Sequence, residues 1–470
     1  MVSPSPRSAL VLALLCGAQF MVVLDIAIVN VALPSIEADL GLDRSDLQWV
    51  VITYGLVLGG FLLLGGRAAD LLGRRRVLVT GLALFTAASL TGGLAGSLAP
   101  LVASRAVQGF GAALVAPAAL SILASSFPEG RERNRALGIF GAVGGSAASF
   151  GVIAGGVLTD GPGWAWIFFV NVPIGVALIG LVLRFIPTAP RTFRGRADVL
   201  GALTVTGGLM ALVYAIHQSA DHGWTSGRTL GFLAGGAALL AVFLAVERAT
   251  ADPLVPMHML RRRTLNAANL VAALVFGSFF ATIFQASLFM QQVLGYSPLR
   301  TGFAYLAIAL VALVVSGGGA PVVVGRAGAG TTLGIGQASS ALGLLLLARA
   351  PSDAAYWTDL FPGFVLVGVG IGFSVVAAQI AAFNGVEPAF SGLAGGMIET
   401  AREMGGALGT AIVASVAIGA TDAAEGFQRG SLVAAGFNVL SVIAALAVLR
   451  RAERRSAPVV VADLEPVLSD

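Results

Sequence analysis

Five ionisable side chains stand inside long apolar runs of this 470-residue sequence. Asp25 lies in MVVLDIAIVNVALP, Arg105 in LVASRAVQGFGAA, and Glu399, Arg402 and Glu403 in MIETAREMGGALG. A charge held in hydrocarbon is costly, so such residues mark ion or substrate routes by default. A carboxyl group there can take up and release a proton, the chemistry that proton coupling requires. Asp25, Glu399 and Glu403 are therefore the candidate proton carriers, with Asp25 and Glu399 also candidates for contacting substrate. The alternatives are a static hydrogen-bonded anchor at Asp25 and a neutralised structural cluster at the other two. Glu399 and Glu403 are four apart and share a helix face, and Arg402 is placed to pair with Glu399. Arg105 has the plain reading of an anchor for backbone carbonyls, with Gln108 one turn away. Asn30, further along the same segment as Asp25, and Gln108 are also candidates for contacting substrate.

Two further patterns carry possible function. Phe276, Phe280 and Phe284 recur at four-residue spacing with Phe279 and Gln285 beside them, a stripe that either lines a cavity for lipophilic compounds or packs against helices and lipid. The segment GGRAADLLGRRRVL places Asp70 between Gly66 and Gly73, followed by Arg74, Arg75 and Arg76. Asp70 can accept hydrogen bonds from a helix N-terminus or pair with an arginine, while the two glycines permit a tight turn and close approach. That is a clasp able to hold one conformation until a proton or substrate shifts the balance.

These residues must be positioned by membrane helices. The chain is 57% hydrophobic and 11% charged, against roughly 25% charged in ordinary soluble proteins. Its mean hydropathy is +0.90. Fourteen apolar segments are long enough to span a bilayer as helix: 9–34, 47–66, 77–95, 99–124, 136–158, 164–186, 199–217, 228–246, 265–290, 300–323, 331–349, 358–383, 392–419 and 430–449. The first run continues past any plausible cleavage site, which predicts an uncleaved first span. All 28 basic residues are arginine. With both termini placed in the cytoplasm, 21 arginines fall in inner segments, five in outer loops and two within spans, a strong positive-inside bias.

The expected organisation is a six-helix bundle over 1–190, two inserted helices with their linker over 191–264, a second six-helix bundle over 265–450, and a cytoplasmic tail over 451–470. The 62 glycines are spread through the spans, where small residues allow close helix packing. Absence of lysine excludes a Walker A ATPase and Schiff-base chemistry. Three histidines and one cysteine, Cys16, exclude the usual zinc sites and any internal disulfide. No cofactor is expected. The basic balance is explained by topology rather than by nucleic acid. Arginine-only usage fits a GC-rich bacterial coding sequence.

The segment G-R-A-A-D-L-L-G-R-R resembles the signature loop of the major facilitator superfamily. LDIAIVNVALP from Leu24, RAVQGFGAA from Arg105 and WAWIFFVNVPIG from Trp164 resemble further motifs of its fourteen-span drug:proton antiporters. The resemblance covers nearly the whole chain. It implies an all-α major facilitator fold with 14 transmembrane helices as 6+2+6, and makes Arg105 a fixed charge that tunes a carboxylate during proton transfer. One motif departs: SFGVIAGG keeps Gly151, Gly155 and Gly156 for close packing but has Val152 where the family has proline. The expected activity is proton-coupled export of lipophilic or cationic drugs by a monomer in a bacterial cell membrane. Its partners are then a small-molecule substrate, protons and the lipid bilayer. A dedicated exporter or uptake facilitator for one metabolite is the alternative. A membrane enzyme or passive channel is the reading from another class, and only the acids at 399 and 403 would serve it.

Overall fold

A computed structural model describes residues 6–449 except 43, 129, 189–197, 251, 419, 421 and certain side chains. Arg191, Arg194, Arg196, Arg450 and the tail 451–470 lie outside the described residues, as do the side chains of Arg7 and Val152. The described residues form fourteen long helical rods: α1 (Pro6–Leu40), α2 (Arg44–Leu72), α3 (Arg74–Gly93), α4 (Leu98–Ser126), α5 (Arg131–Asp160), α6 (Trp166–Phe185), α7 (Val199–His222), α8 (Gly227–Ala249), α9 (Arg263–Val293), α10 (Leu299–Ala327), α11 (Ala329–Leu347), α12 (Tyr356–Phe383), α13 (Ser391–Ile418) and α14 (Ala423–Ala447). Among the described residues, twelve of these are long and apolar enough to cross a membrane; α5 and α13, 30 and 28 residues long, include side chains outside that description. In α13, Glu399, Arg402 and Glu403 fall within two turns of one another.

Several rods overrun the apolar segments that announce them. α1 continues through Pro34, Glu37 and Asp39, because helical hydrogen bonding does not stop where hydropathy does. Trp164 then donates to Asp39 Oδ2 at 2.7 Å, tying that extension to the start of α6. A π-helical turn interrupts α10 at Val315–Gly319, the kind of irregularity that bends a helix, and others end α9 at Phe289–Val293, open α12 at Tyr356–Leu360 and close the last rod at Ala445–Leu449.

The packing repeats with an offset of eight helices. α1 lies on α5, α2 and α3 on α4, and α3 on α6; correspondingly α9 lies on α13, α10 and α11 on α12, and α11 on α14. Across the two groups α13 meets α2 and α4, while α5 meets α10 and α12. α7 and α8 pair with each other, and α7 rests on α2 and α13. Glycines set the closest approaches. A Cβ on Gly109 would stand 2.6 Å from Tyr54 O, and Gly405 and Gly409 leave the room that α9 fills at Ala273 and Gly277. Without a hydrophobic driving force between helices in lipid, this backbone proximity supplies the dispersion contact that holds the bundle.

Candidate functional site

Asp25 is fully buried and sits at the centre of a polar network drawn from five helices. Arg105 Nη1 of α4 donates to Asp25 Oδ2 at 2.5 Å and to Gln108 Oε1 at 2.9 Å. Gln108 Nε2 donates to Asp25 Oδ1 at 3.0 Å and to Ser89 Oγ of α3 at 2.8 Å. Asn171 Nδ2 of α6 reaches the same Asp25 Oδ1 at 3.0 Å. Arg105 Nε bonds the carbonyl of Val50 in α2, and its guanidinium lies 4.2 Å from the centroid of the Tyr54 ring. Arg105 thus contacts a backbone carbonyl and a carboxylate at once. An ion pair this enclosed is stable only because its remaining donors and acceptors are also bonded.

A cavity of about 90 Å³ lies between the two helix groups, walled by α1, α5, α9, α10, α12 and α13. Phe276, Phe279 and Phe280 line it, with Gln19, Gln379, Arg402 and Glu403. Arg402 Nη1 forks onto Glu399 at 2.6 and 2.8 Å, and its guanidinium stands 4.2 Å from the Phe276 ring centroid. The charge of Glu399 is thereby committed, leaving Glu403 as the acid on the cavity wall. The Tyr54 hydroxyl of α2, beside the first network, donates to the carbonyl of Val22 in α1 at 3.4 Å. Drug-sized ligands need roughly 300–1,000 Å³, more than this cavity holds.

The seam below is closed. Asp70 takes the backbone N–H groups of Gly392 and Leu393, both at 2.8 Å, and so caps the N-terminus of α13 from α2. Arg74 lies 3.9 Å from Asp70 and donates to the carbonyl of Pro388. Arg75 turns the other way, onto Leu183 O and Thr188 Oγ1 at the end of α6, and so braces its own group rather than the seam. Gly73, at φ +99°, makes the sharp break between α2 and α3 that lets the clasp project. Ser391 Oγ is 2.8 Å from Ser121 Oγ and buried. A Ser391→Cys probe should therefore label slowly with a membrane-impermeant maleimide. Asp70→Asn, which removes a charged acceptor worth roughly 1.5–3 kcal/mol, should raise that rate about tenfold or more. An unchanged rate would show that Asp70 does not hold the seam.

The Major Facilitator Superfamily profile matches residues 15–410 of the chain. The chain belongs to the major facilitator superfamily. It is a multi-pass membrane transporter with bacterial relatives. It is 39% identical over 424 residues to the puromycin resistance protein of Streptomyces alboniger, covering 89% of this chain and 84% of that one. It is 40% identical over 412 residues to the cephamycin export protein of Amycolatopsis lactamdurans, covering 87% and 84%. In structure it is similar to a human organic anion transporter, with TM-score 0.70 and 16% identity over 94% of this chain and 100% of the other. A proton:xylose symporter of the same superfamily gives 0.66 and 14% over 96% and 100%. At those identities the likeness is one of fold.

Within this major facilitator fold several residues singled out in the sequence fall elsewhere than expected. Asn30 is exposed and its amide turns back to Ile26 O at 2.8 Å, so it meets neither Asp25 nor the cavity. Phe284, 40% exposed, faces away from the cavity, since the stripe drifts around the helix over two turns. Gln285 is buried but bonds Ser431 Oγ of α14 at 3.2 Å. Gly151 and Gly155 press on α1, where an added Cβ would stand 2.9 Å from Leu24 O and 3.0 Å from Ile28 O respectively. Gly156 is turned about 100° away and faces open space. The sequence did not single out Asn171, a direct partner of Asp25, nor Ser89 and Tyr54, which meet Gln108 and Arg105 beside it. Asn171 had a signal, being the polar residue of WAWIFFVNVPIG; the other two had none.

Proposed function

We propose that this protein is a proton-driven exporter of lipophilic and cationic drugs or antibiotics, working as a monomer by alternating access in a bacterial cytoplasmic membrane. All fourteen rods cross the bilayer, α5 and α13 included, with both termini inside. The two groups α1–α6 and α9–α14 act as rocking halves, and α7–α8 form the insert. Asp25 carries the proton, with Arg105 tuning it, and Glu403 meets the substrate's charge beside the aromatic wall. The carrying observation is the central cavity, where Phe276, Phe279 and Phe280 from one half and Gln19 from the other converge with Glu403. Relatives named for puromycin resistance and cephamycin export support the direction of transport.

Ethidium uptake into inverted vesicles tests the reading. Uptake should require an imposed pH gradient and stop when that gradient is collapsed; gradient-independent uptake would sink it. Glu403→Gln should lower uptake of cationic substrates about tenfold while leaving neutral lipophilic ones within about twofold, since only the former lose a charge partner. Equal losses for both would remove Glu403 from substrate recognition. A second reading, export of a single compound, is favoured by relatives each named for one antibiotic. A panel of unrelated lipophilic cations separates the two, because a dedicated exporter moves none of them.

A further inference from the structure

The inserted hairpin meets the α2–α13 seam through charged groups that the transport cycle described above does not use. Glu247, near the end of α8, is 2% exposed, and its Oε2 accepts the N–H of Val255 at 3.0 Å. Val255 belongs to the linker strap between α8 and α9. Pro253 O of that strap accepts Arg67 Nη2 at 3.1 Å, and His258 packs on Phe390, just before α13, with ring centroids 5.3 Å apart. Arg67 is three residues before Asp70 on α2. The strap thus joins α8, α2 and the start of α13.

Asp198 caps α7, its Oδ1 accepting Gly201 N at 2.8 Å. Its other oxygen, Oδ2, and Glu247 Oε1 are both buried without a hydrogen-bond partner. Both lie within 2.8 Å of the position a Cβ on Gly201 would take, so the absent side chain leaves a space that two carboxyl oxygens share. Two buried carboxyl oxygens held about one common point, neither with a hydrogen-bond partner, are unfavourable as a pair of anions. Protonating one carboxyl removes that repulsion and supplies an O–H that the other can accept. The charged groups around them are Arg67 on α2, which also faces Asp70 and Asp252, and Arg76 on α3, which lines the same groove as Asp198; Arg248, next on α8, is exposed.

We propose that Asp198 and Glu247 hold a single proton between them, making the inserted hairpin a proton site that governs the seam. The proposal rests on the cytoplasmic placement of this end given above. With the proton bound, one carboxyl donates to the other, Glu247 keeps Val255, and the strap holds Arg67 beside the clasp. When the proton leaves to cytoplasmic water, the O–H bond breaks, two carboxylates face each other, and Glu247 swings off Val255. The strap then releases Arg67, and the seam opens toward the cytoplasm, where drug is loaded. The site closes the entry while the cytoplasmic side is acid and frees it once that side is alkaline.

The test is the Ser391→Cys probe, in a Cys16→Ala background, labelled by impermeant maleimide in inverted vesicles across mildly acid to mildly alkaline media. Labelling, taken at each pH relative to the same thiol in unfolded protein so that thiol ionisation cancels, should accelerate about tenfold toward alkaline pH. Glu247→Gln and Asp198→Asn should each flatten the profile at the slow, acid-side rate, and Arg248→Gln should leave it intact. A flat profile in the probe protein, or one that survives both substitutions, overturns the proposal. Asp198→Asn keeps the cap through its amide oxygen and reads the site even where Glu247→Gln yields no folded protein. Labelling needs no transport, so loss of gradient-driven ethidium uptake with an intact profile would defeat the export reading alone.

Discussion

Asp25→Asn is expected to abolish gradient-driven ethidium uptake, and Arg105→Gln to do the same. The two substitutions should also destabilise the protein, because each strands the other partner without its counter-charge in a fully buried site. Removing one member of a buried pair costs about 3–5 kcal/mol, whereas removing both is often near neutral. The double variant Asp25→Asn/Arg105→Gln should therefore regain most of the lost thermal stability. Gln108 and Asn171 still donate hydrogen bonds to the amide oxygen at position 25. Transport separates the roles. If the pair carries the proton, the stable double variant remains inactive under a pH gradient, at under about one hundredth of the wild-type rate. If the pair is only an anchor, uptake returns along with the melting temperature, and coupling must be sought at Glu403.

What the sequence makes legible follows from the physics of each position. Asp25 and Arg105 stand out because a charge in an apolar run has few reasons to be there. Their direct contact at 2.5 Å could not be read, since 80 residues and the packing of α1 on α4 intervene. The Glu399–Arg402 pair was readable because both partners sit on one helix, where spacing alone fixes proximity. The clasp was half readable. Asp70 announced a bonding partner, either a helix N-terminus or an arginine, and the fold supplies both; only the fold shows that the helix is α13. The stripe at 276, 280 and 284 misleads at its far end because a four-residue period advances beyond one helical turn, carrying Phe284 out of the cavity wall. The Asp198–Glu247 meeting was invisible. Neither residue lies deep in an apolar run, and both look like ordinary helix-end acids until Gly201 brings them to one point.

Gly65 and Gly66 are adjacent on α2, yet leucine at the two positions should fail in different ways. Gly65 faces α4 within its own half, where a Cβ would lie 2.9 Å from Ala113 C and 3.3 Å from Leu114 Cα. Those contacts persist in any rocking motion, so Gly65→Leu must separate α2 from α4, and little folded protein should be recovered. Gly66 is turned about 100° around the helix and faces the other half. There a Cβ would lie 3.0 Å from both Gly392 C and Gly396 Cα of α13. That contact exists only while the seam is shut. Gly66→Leu should thus leave yield and melting within a few degrees of wild type, because the halves can part without unpacking either one. Gradient-driven uptake should fall at least about a hundredfold, since alternation needs the closed state in every cycle. The Ser391→Cys probe, taken relative to the unfolded thiol at each pH, should label at a fast rate that no longer depends on pH. If both leucine variants lose the folded protein alike, then α2 and α13 form a permanent interface, and the seam between the halves is not the gate.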